Sequence, residues 1–311
     1  WFFAPNPFFG IQARRLGSLV MSSPGYSEGL GRDRMNIEPL TGAIGAEVSG
    51  VDLRGPISEE VFAEIHQALI DHLVIIFRDQ DLSPSEHKEF ASRFSALQAH
   101  PFVESLDGIP EITEIVKEPW EVENWGGNWH ADVTFLPEPS KGAALFAREV
   151  PPHGGDTLFS NMYLAYETLS SGLKELLDPL SAVHDSGEVG RFYDEFDGMQ
   201  AKHAERIASV HPVIRIHPAT QKKALFVNEE YTTHFEGMTV AESRPLLEYL
   251  FQHCVRSEIT CRVRWQKGTL VLWDNRVTLH SSISDDFAAR FDKAGFRRVL
   301  HRATFVGEKT S

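Results

Sequence analysis

His130 and Asp132 stand two residues apart in the stretch Trp125-Gly126-Gly127-Asn128-Trp129-His130-Ala131-Asp132. In an extended strand such a pair shares one face while Ala131 turns to the other. One imidazole and one carboxylate side by side are two of the three ligands in the 2-His-1-carboxylate arrangement that holds non-haem Fe(II) with positions left open. Alone the pair is a weak signal, and a polar pair at a strand end is its plainer reading. The chain has 14 His, and His87-x-Glu89, His203-x-Glu205 and His234-x-Glu236 offer the same spacing. The first two fall in stretches that read as helix, where residues two apart do not face each other. The third has no further ligand in a plausible strand context.

Three features further along converge on the pair. His280 follows the apolar run Leu270-Val271-Leu272-Trp273 and the polar turn Asp274-Asn275-Arg276; by itself it reads as a surface histidine after a strand. Arg298, Leu300 and Arg302 alternate, so a strand puts both guanidiniums on one face, the inner one if Leu300 is a guide. Inward arginines are costly unless an anion meets them, and the strand holds no acid of its own. That leaves either a distant structural salt bridge or a bound acid. Thr157 follows the Gly154-Gly155 turn, where a hydroxyl can help receive a carboxylate or serve as an ordinary strand threonine.

The elements that must position these residues are short strands with a few helices. Met35 to Val51 alternates around glycines, suggesting short strands and tight turns. Ser58 caps a helix whose first turn carries Glu59 and Glu60 and whose apolar stripe is Val61, Ile65, Leu69 and Leu73. Val74-Ile75-Ile76-Phe77 reads as a buried strand, and Ser83-Pro84-Ser85-Glu86 as a capping box opening a helix to about Phe94. Strands are expected at 111–117, 141–149, 157–159, 210–216, 224–228, 260–265, 269–273 and 298–305. Residues 161–207 lean helical, and Thr239-x-x-Glu242 starts another helix. This pattern favours a mainly β, double-sheet jelly roll with flanking helices over a parallel α/β sheet.

Bulk properties narrow the class. At 311 residues the chain can bury a substantial core, and residues 35–311 are expected to form a single domain. Residues 1–34 mix aromatics, Pro, Gly, Ser and Arg without a continuous apolar stretch, and are expected to be a disordered extension. A net charge of −14 argues against a nucleic-acid partner but leaves room for an anionic small substrate. Two cysteines without framework spacing point to a reducing cytoplasm. No apolar run is long enough for a membrane span. A homo-oligomer is compatible with all of this.

Taken in order, Trp129-His130-x-Asp132-Val-Thr-Phe, Gly154-Gly155-Asp156-Thr157, Trp273-Asp274-Asn275-Arg276-x-x-x-His280 and Arg297-Arg298-x-x-His301-Arg302-Ala303-Thr304 resemble the taurine/α-ketoglutarate dioxygenase family, which includes taurine and phenoxyalkanoate enzymes. The resemblance covers Met35 to about Gly307. It implies a cupin-like double-stranded β-helix with Fe(II) on His130, Asp132 and His280, and 2-oxoglutarate as co-substrate with O2. It also implies that Arg298 and Thr157 receive the far carboxylate of the oxoacid, while Arg302 and His100 face the prime substrate. The implied reaction hydroxylates a small anionic substrate and releases succinate and CO2. A metal-assisted hydrolase on the same ligands and a non-catalytic oxoacid-binding jelly roll are the alternatives; only the first would have no use for a dicarboxylate cradle.

The sequence departs from the family pattern in places. His280 and Arg298 lie 18 positions apart, more than usual, with 285–294 reading as an inserted loop. Arg290 falls at the usual spacing and is the lesser candidate for the oxoacid. The Tyr expected three residues after His100 is Val103, and the Asn expected four before His130 is Gly126. Two polar contacts to taurine are thus missing, and Phe102 and Val103 give the rim an apolar cast. A sulfonate, an aryloxyalkanoate or another small acid fits as well as taurine.

Overall fold

The computed structural model describes residues 35–100, 103, 105–121, 125–187, 206–284 and 296–310. The expected extension 1–34, the inserted loop 285–294 with Arg290, and Phe102 and His203 lie outside the described residues.

The chain opens with strands β1 (Asn36–Pro39) and β2 (Ala46–Ser49). Helix α1 (Glu59–His72) begins where the Ser58 side chain accepts from the Val61 amide and ends where Leu73 turns left-handed at φ 66°. The apolar strand β3 (Val74–Phe77) follows, with all four residues buried. Each such side chain stabilises by about 1.5–3 kcal/mol on burial. Helix α2 (Pro84–Ser92) carries the expected capping box, both halves formed between Ser83 and Glu86.

The short β4 (Leu97–Gln98) and β5 (Ser105–Leu106) precede the long β6 (Ile109–Lys117) and β7 (Gly142–Glu149). Strand β8 (Thr157–Asn161) leads into helices α3 (Met162–Glu167) and α4 (Ser171–Leu177). Next come β9 (Ser181–Asp185), β10 (Ala208–Pro212), β11 (Ile214–Ile216), β12 (Lys223–Leu225) and β13 (Thr232–Phe235). Helix α5 (Val240–Cys254) again starts on a complete capping box, Thr239 with Glu242. The chain closes with β14 (Thr260–Val263), β15 (Leu270–Asp274), β16 (Thr278–Ser282) and β17 (Arg298–Phe305).

The main sheet runs β1-β2-β3-β15-β7-β17-β6-β5, with β4 attached to β17. A smaller sheet, β14-β8-β16, faces it as the second layer of the jelly roll. The main sheet is buried on both sides, so its strands read as nearly continuous apolar runs. Their alternation nevertheless sorts the side chains. Ile75, Phe77, Leu270 and Leu272 turn outward to a core shared with Ile65 of α1 and Phe90 of α2. Val74, Ile76, Val271 and Trp273 turn inward to a core shared with Phe159 of β8.

Five strands fell outside the expected pattern, the short β4 and β5 among them. Residues 161–207 were expected to lean helical, yet Ser181–Asp185 forms the middle strand of a third sheet, β10-β9-β13. Its polar ends hide the signal, because His184 is fully buried and hydrogen-bonded to Thr134 rather than solvated. Strand β13 carries His234, and β16 carries His280 itself. Among the described residues no helix is long and apolar enough to cross a membrane.

Candidate active site

His280 sits in the middle of β16, opposite Phe159 of β8. His130 reaches it through an isolated pair of backbone bonds: the His130 amide donates to the His280 carbonyl at 3.0 Å, and the His280 amide returns one to His130 at 2.8 Å. This differs from the extended strand that the spacing suggested. His130 is a single bridging residue, and Asp132 already stands in a turn. Asn275 makes that turn possible. Its side-chain oxygen accepts from the Asp132 amide at 2.9 Å, and its amide donates to the carbonyls of Asp132 and Ser140 at 3.2 and 3.0 Å. Asn275 lay in the Trp273–Arg276 motif, but nothing in the sequence said what it clamps.

The ligand atoms of His130, Asp132 and His280 all lie within 4.8 Å of one another, and the three residues are buried. Asp132 Oδ1 is 3.7 Å from His130 Nε2 and 3.5 Å from His280 Nε2. The His130 ring is oriented from behind: Nδ1–H donates to the Asn128 carbonyl at 2.8 Å, which leaves Nε2 as a bare lone pair. Burial, then the neighbouring His280, push the His130 imidazole down to about 3, so it is neutral at neutral pH. Burial works against the Asp132 charge, but Arg302 and the two imidazoles outweigh it and hold the carboxyl well below its usual range. The centre thus offers two imidazole nitrogens and one carboxylate.

Such a donor set fits a divalent cation. Two imidazoles and a carboxylate without thiolate suit iron, and three protein ligands leave further positions open. Asp132 Oδ2 and His280 Nδ1 are buried without a hydrogen-bond partner among the described residues. The atoms that face one another in the cluster are Asp132 Oδ1 and the two Nε2 atoms, and a cation among them would offset their desolvation. Gly126 leans over the same spot with φ +75°, and a Cβ there would stand 3.1 Å from His130 Cε1. A side chain at position 126 would therefore be strained and would press on the His130 ring.

A cavity opens beside the cluster, lined by His130, His280, Thr157, Arg298 and Arg302 together with apolar side chains such as Leu145 and Leu300. Arg298 and Arg302 share the inner face of β17, about 13 Å apart along the strand. Arg298 is buried, and burial pushes its guanidinium down to about 10 against the opposing pull of Asp156. Its Nε has no hydrogen-bond partner among the described residues. Thr157 stands in β8, two residues from the strand position facing His280.

Arg302 is placed differently from a free anchor. Its Nη2 lies 2.6 Å from Asp132 Oδ2, close but without the alignment of a hydrogen bond. Its Nε donates to Thr304 Oγ1 at 3.1 Å. The distant acid that an inward arginine requires is thus the carboxylate of the histidine cluster itself. The guanidinium also sits 5.9 Å from the Trp125 ring and 5.6 Å from the Trp273 ring. His100 packs against Trp125, the rings edge to face at 5.7 Å, and its Nδ1 accepts from the Val103 amide at 3.2 Å. His301, between the two arginines in sequence, points the opposite way, to Glu114 and Arg148.

Comparison with known proteins agrees with this architecture. Residues 36–304 match the family described as taurine catabolism dioxygenase TauD, TfdA. An alkylsulfatase of Acinetobacter baylyi is 33% identical over 294 residues, 89% of this chain and 87% of that protein. An α-ketoglutarate-dependent sulfate ester dioxygenase of Pseudomonas putida is 31% identical over 88% of this chain and 90% of its own length. The crystal structure of a taurine dioxygenase from Burkholderia xenovorans superposes with a TM-score of 0.75 at 34% identity, covering 89% and 90% of the two chains. The chain belongs to the taurine catabolism dioxygenase TauD, TfdA family, and with it to the dioxygenases among the oxidoreductases.

Proposed function

We propose that this chain, through a single domain over 35–311, is an Fe(II)- and 2-oxoglutarate-dependent dioxygenase that hydroxylates a small anionic substrate and releases succinate and CO2. The observation that carries the reading is one cavity holding both the His130–Asp132–His280 cluster and the unsatisfied Arg298. When bound, the iron supplies oxidative decarboxylation of the oxoacid and transfer of an oxygen atom from O2 to a substrate C–H. His130, Asp132 and His280 hold it. Arg298 meets the far carboxylate of 2-oxoglutarate in a charge-assisted pair, and the Thr157 hydroxyl adds a hydrogen bond. Both act by placement, which fixes the oxoacid at one distance from the metal.

The prime substrate is an organic acid, a sulfonate, sulfate ester or aryloxyalkanoate. Relatives named for sulfate esters and for 2,4-dichlorophenoxyacetate support this range. Its anionic group docks on the side of Trp125, Arg302 and His100, the last packed edge to face with the Trp125 ring. Gly126 and Val103 bring no side-chain hydrogen bond to an amine, which favours an acid without one over taurine.

Anaerobic addition of Fe(II) and 2-oxoglutarate is expected to give a weak visible metal-to-ligand charge-transfer band, lost in His280→Ala and in Asp132→Ala. Oxygen-dependent succinate release, stimulated by the right acid in a screen of sulfonates, sulfate esters and aryloxyalkanoates, then distinguishes enzyme from sensor. No band in the folded wild-type chain would rule out oxoacid chelation, and a hydrolase on the same ligands would release no succinate.

A further inference from the structure

Trp265 stands behind the end of the cavity assigned to the oxoacid and touches both residues placed there. Its indole Nε1–H donates to Thr157 Oγ1 at 3.0 Å. Its ring also backs the Arg298 guanidinium, whose Cζ is 5.9 Å from the ring centroid. Trp265 is 4% exposed and is not one of the residues lining the cavity. Sheet register brings it there: Val263 at the end of β14 pairs with Thr157 in β8, and Trp265 follows two residues later.

The donor count gives the contact a direction. An indole N–H can only donate, whereas a threonine hydroxyl has one hydrogen and two lone pairs. With Trp265 on one lone pair, the Thr157 hydroxyl is left to donate, and no second partner meets Oγ1 among the described residues. Accepting one bond also polarises the O–H for giving another. Beside it, Arg298 Nε is buried without a partner among the described residues. An aromatic face on a guanidinium steadies it while leaving its in-plane N–H groups available. One indole therefore presets two donors towards the same cavity.

We infer that Trp265 is a positioning residue for the far carboxylate of 2-oxoglutarate: its N–H commits Thr157 to donating, and its ring holds Arg298 in place. The inference rests on the assignment of Thr157 and Arg298 to the oxoacid.

The test is calorimetric titration of the Mn(II)-loaded chain with 2-oxoglutarate and, separately, with pyruvate, which has the same keto-acid head and no far carboxylate. Trp265→Phe keeps a ring and removes the N–H. It should weaken 2-oxoglutarate by about five- to tenfold, the effect of one lost hydrogen bond, and leave pyruvate within about twofold. Thr157→Val with Trp265→Phe should bind 2-oxoglutarate no worse than Thr157→Val alone, because without the Thr157 hydroxyl the indole N–H has no donor left to orient. Equal weakening of both ligands would mean a merely structural tryptophan, and undiminished 2-oxoglutarate binding would also overturn the inference. Arg298→Ala is the control on the underlying assignment. If it keeps the preference for 2-oxoglutarate over pyruvate, the cradle itself is misplaced; if it loses that preference and Trp265→Phe does not, only the role of Trp265 fails. Should Trp265→Phe not fold, the indole N–H resonance of Trp265 in the Zn(II)-loaded unaltered chain decides. A shift with 2-oxoglutarate and none with pyruvate supports the role, and the same response to both overturns it.

Discussion

Asp132 faces two partners at once: Oδ1 turns to the imidazoles and Oδ2 to Arg302. Arg302 therefore acts on the metal ligand as well as on whatever anion docks beside it. Removing one member of a buried ion pair costs about 3–5 kcal/mol, because the other charge is left uncompensated. In Arg302→Ala that stranded charge is Asp132, and a divalent ion would neutralise it again. The variant should lose melting temperature heavily in the metal-free state and much less with saturating Mn(II), read by scanning calorimetry. An equal loss in both states would mean that Arg302 matters through packing alone. Its KM for the prime substrate should also rise, with 2-oxoglutarate binding changed far less.

At the scale of elements, β17 does the sorting. Arg298, Leu300 and Arg302 face the cavity, while Ala303 and Phe305 join the outer core with α1 and α2. A slip of one residue would exchange these faces and bring His301 inward in place of Arg302. Register is held by the close pairing of β17, β7 and β15, and Gly142 marks its tightest point. A Cβ at Gly142 would stand 2.3 Å from the Trp273 carbonyl oxygen, a backbone atom that cannot swing aside. Gly142→Ala should therefore destabilise by at least about 1–3 kcal/mol, the range for overpacking, measured by urea unfolding. Because Trp273 lines the cavity, the variant should also weaken the charge-transfer band at fixed 2-oxoglutarate.

Across the whole molecule, the site joins two sheets. His280 and Thr157 come from the small sheet, and Arg298 and Arg302 from the main one. Ligands that bind only the folded chain stabilise it by mass action, about 2.7 kcal/mol at a hundredfold excess over Kd. Mn(II) should raise the melting temperature, and N-oxalylglycine should raise it again. Arg298→Ala should keep the first increment and lose the second. Stability should also depend on acid. Burial pushes His87 and His184 down to about 3 from the ordinary 6.5. These two histidines together bind two more protons in the unfolded chain than in the folded one between those values. The stabilisation is complete above about pH 6.5 and falls by roughly 1.4 kcal/mol per pH unit for each histidine as pH drops towards 3. In urea titrations from pH 7 to 4.5, His87→Leu should flatten this slope by one proton. The same variant costs the bond to the Ala144 carbonyl, so it should be less stable at pH 7.

The sequence by itself determined the local features, because these depend on near neighbours. Both capping boxes, the apolar stripe of α1, the buried run Val74–Phe77 and the alternation of Arg298, Leu300 and Arg302 follow from side-chain period and capping chemistry. The jelly roll and the family were legible in the same way, from the density of short strands and the order of four motifs. Tertiary structure decided what needs partners distant in the chain. Asn275 clamps Asp132 across 143 positions, Trp265 reaches Thr157 across 108, and the acid that answers Arg302 is Asp132 rather than a free carboxylate. The strands β9, β13 and β16 stayed hidden for the same reason. His184 of β9 looks solvated in a linear reading, and only a folded interior supplies the bond to Thr134 and the desolvation that make it core.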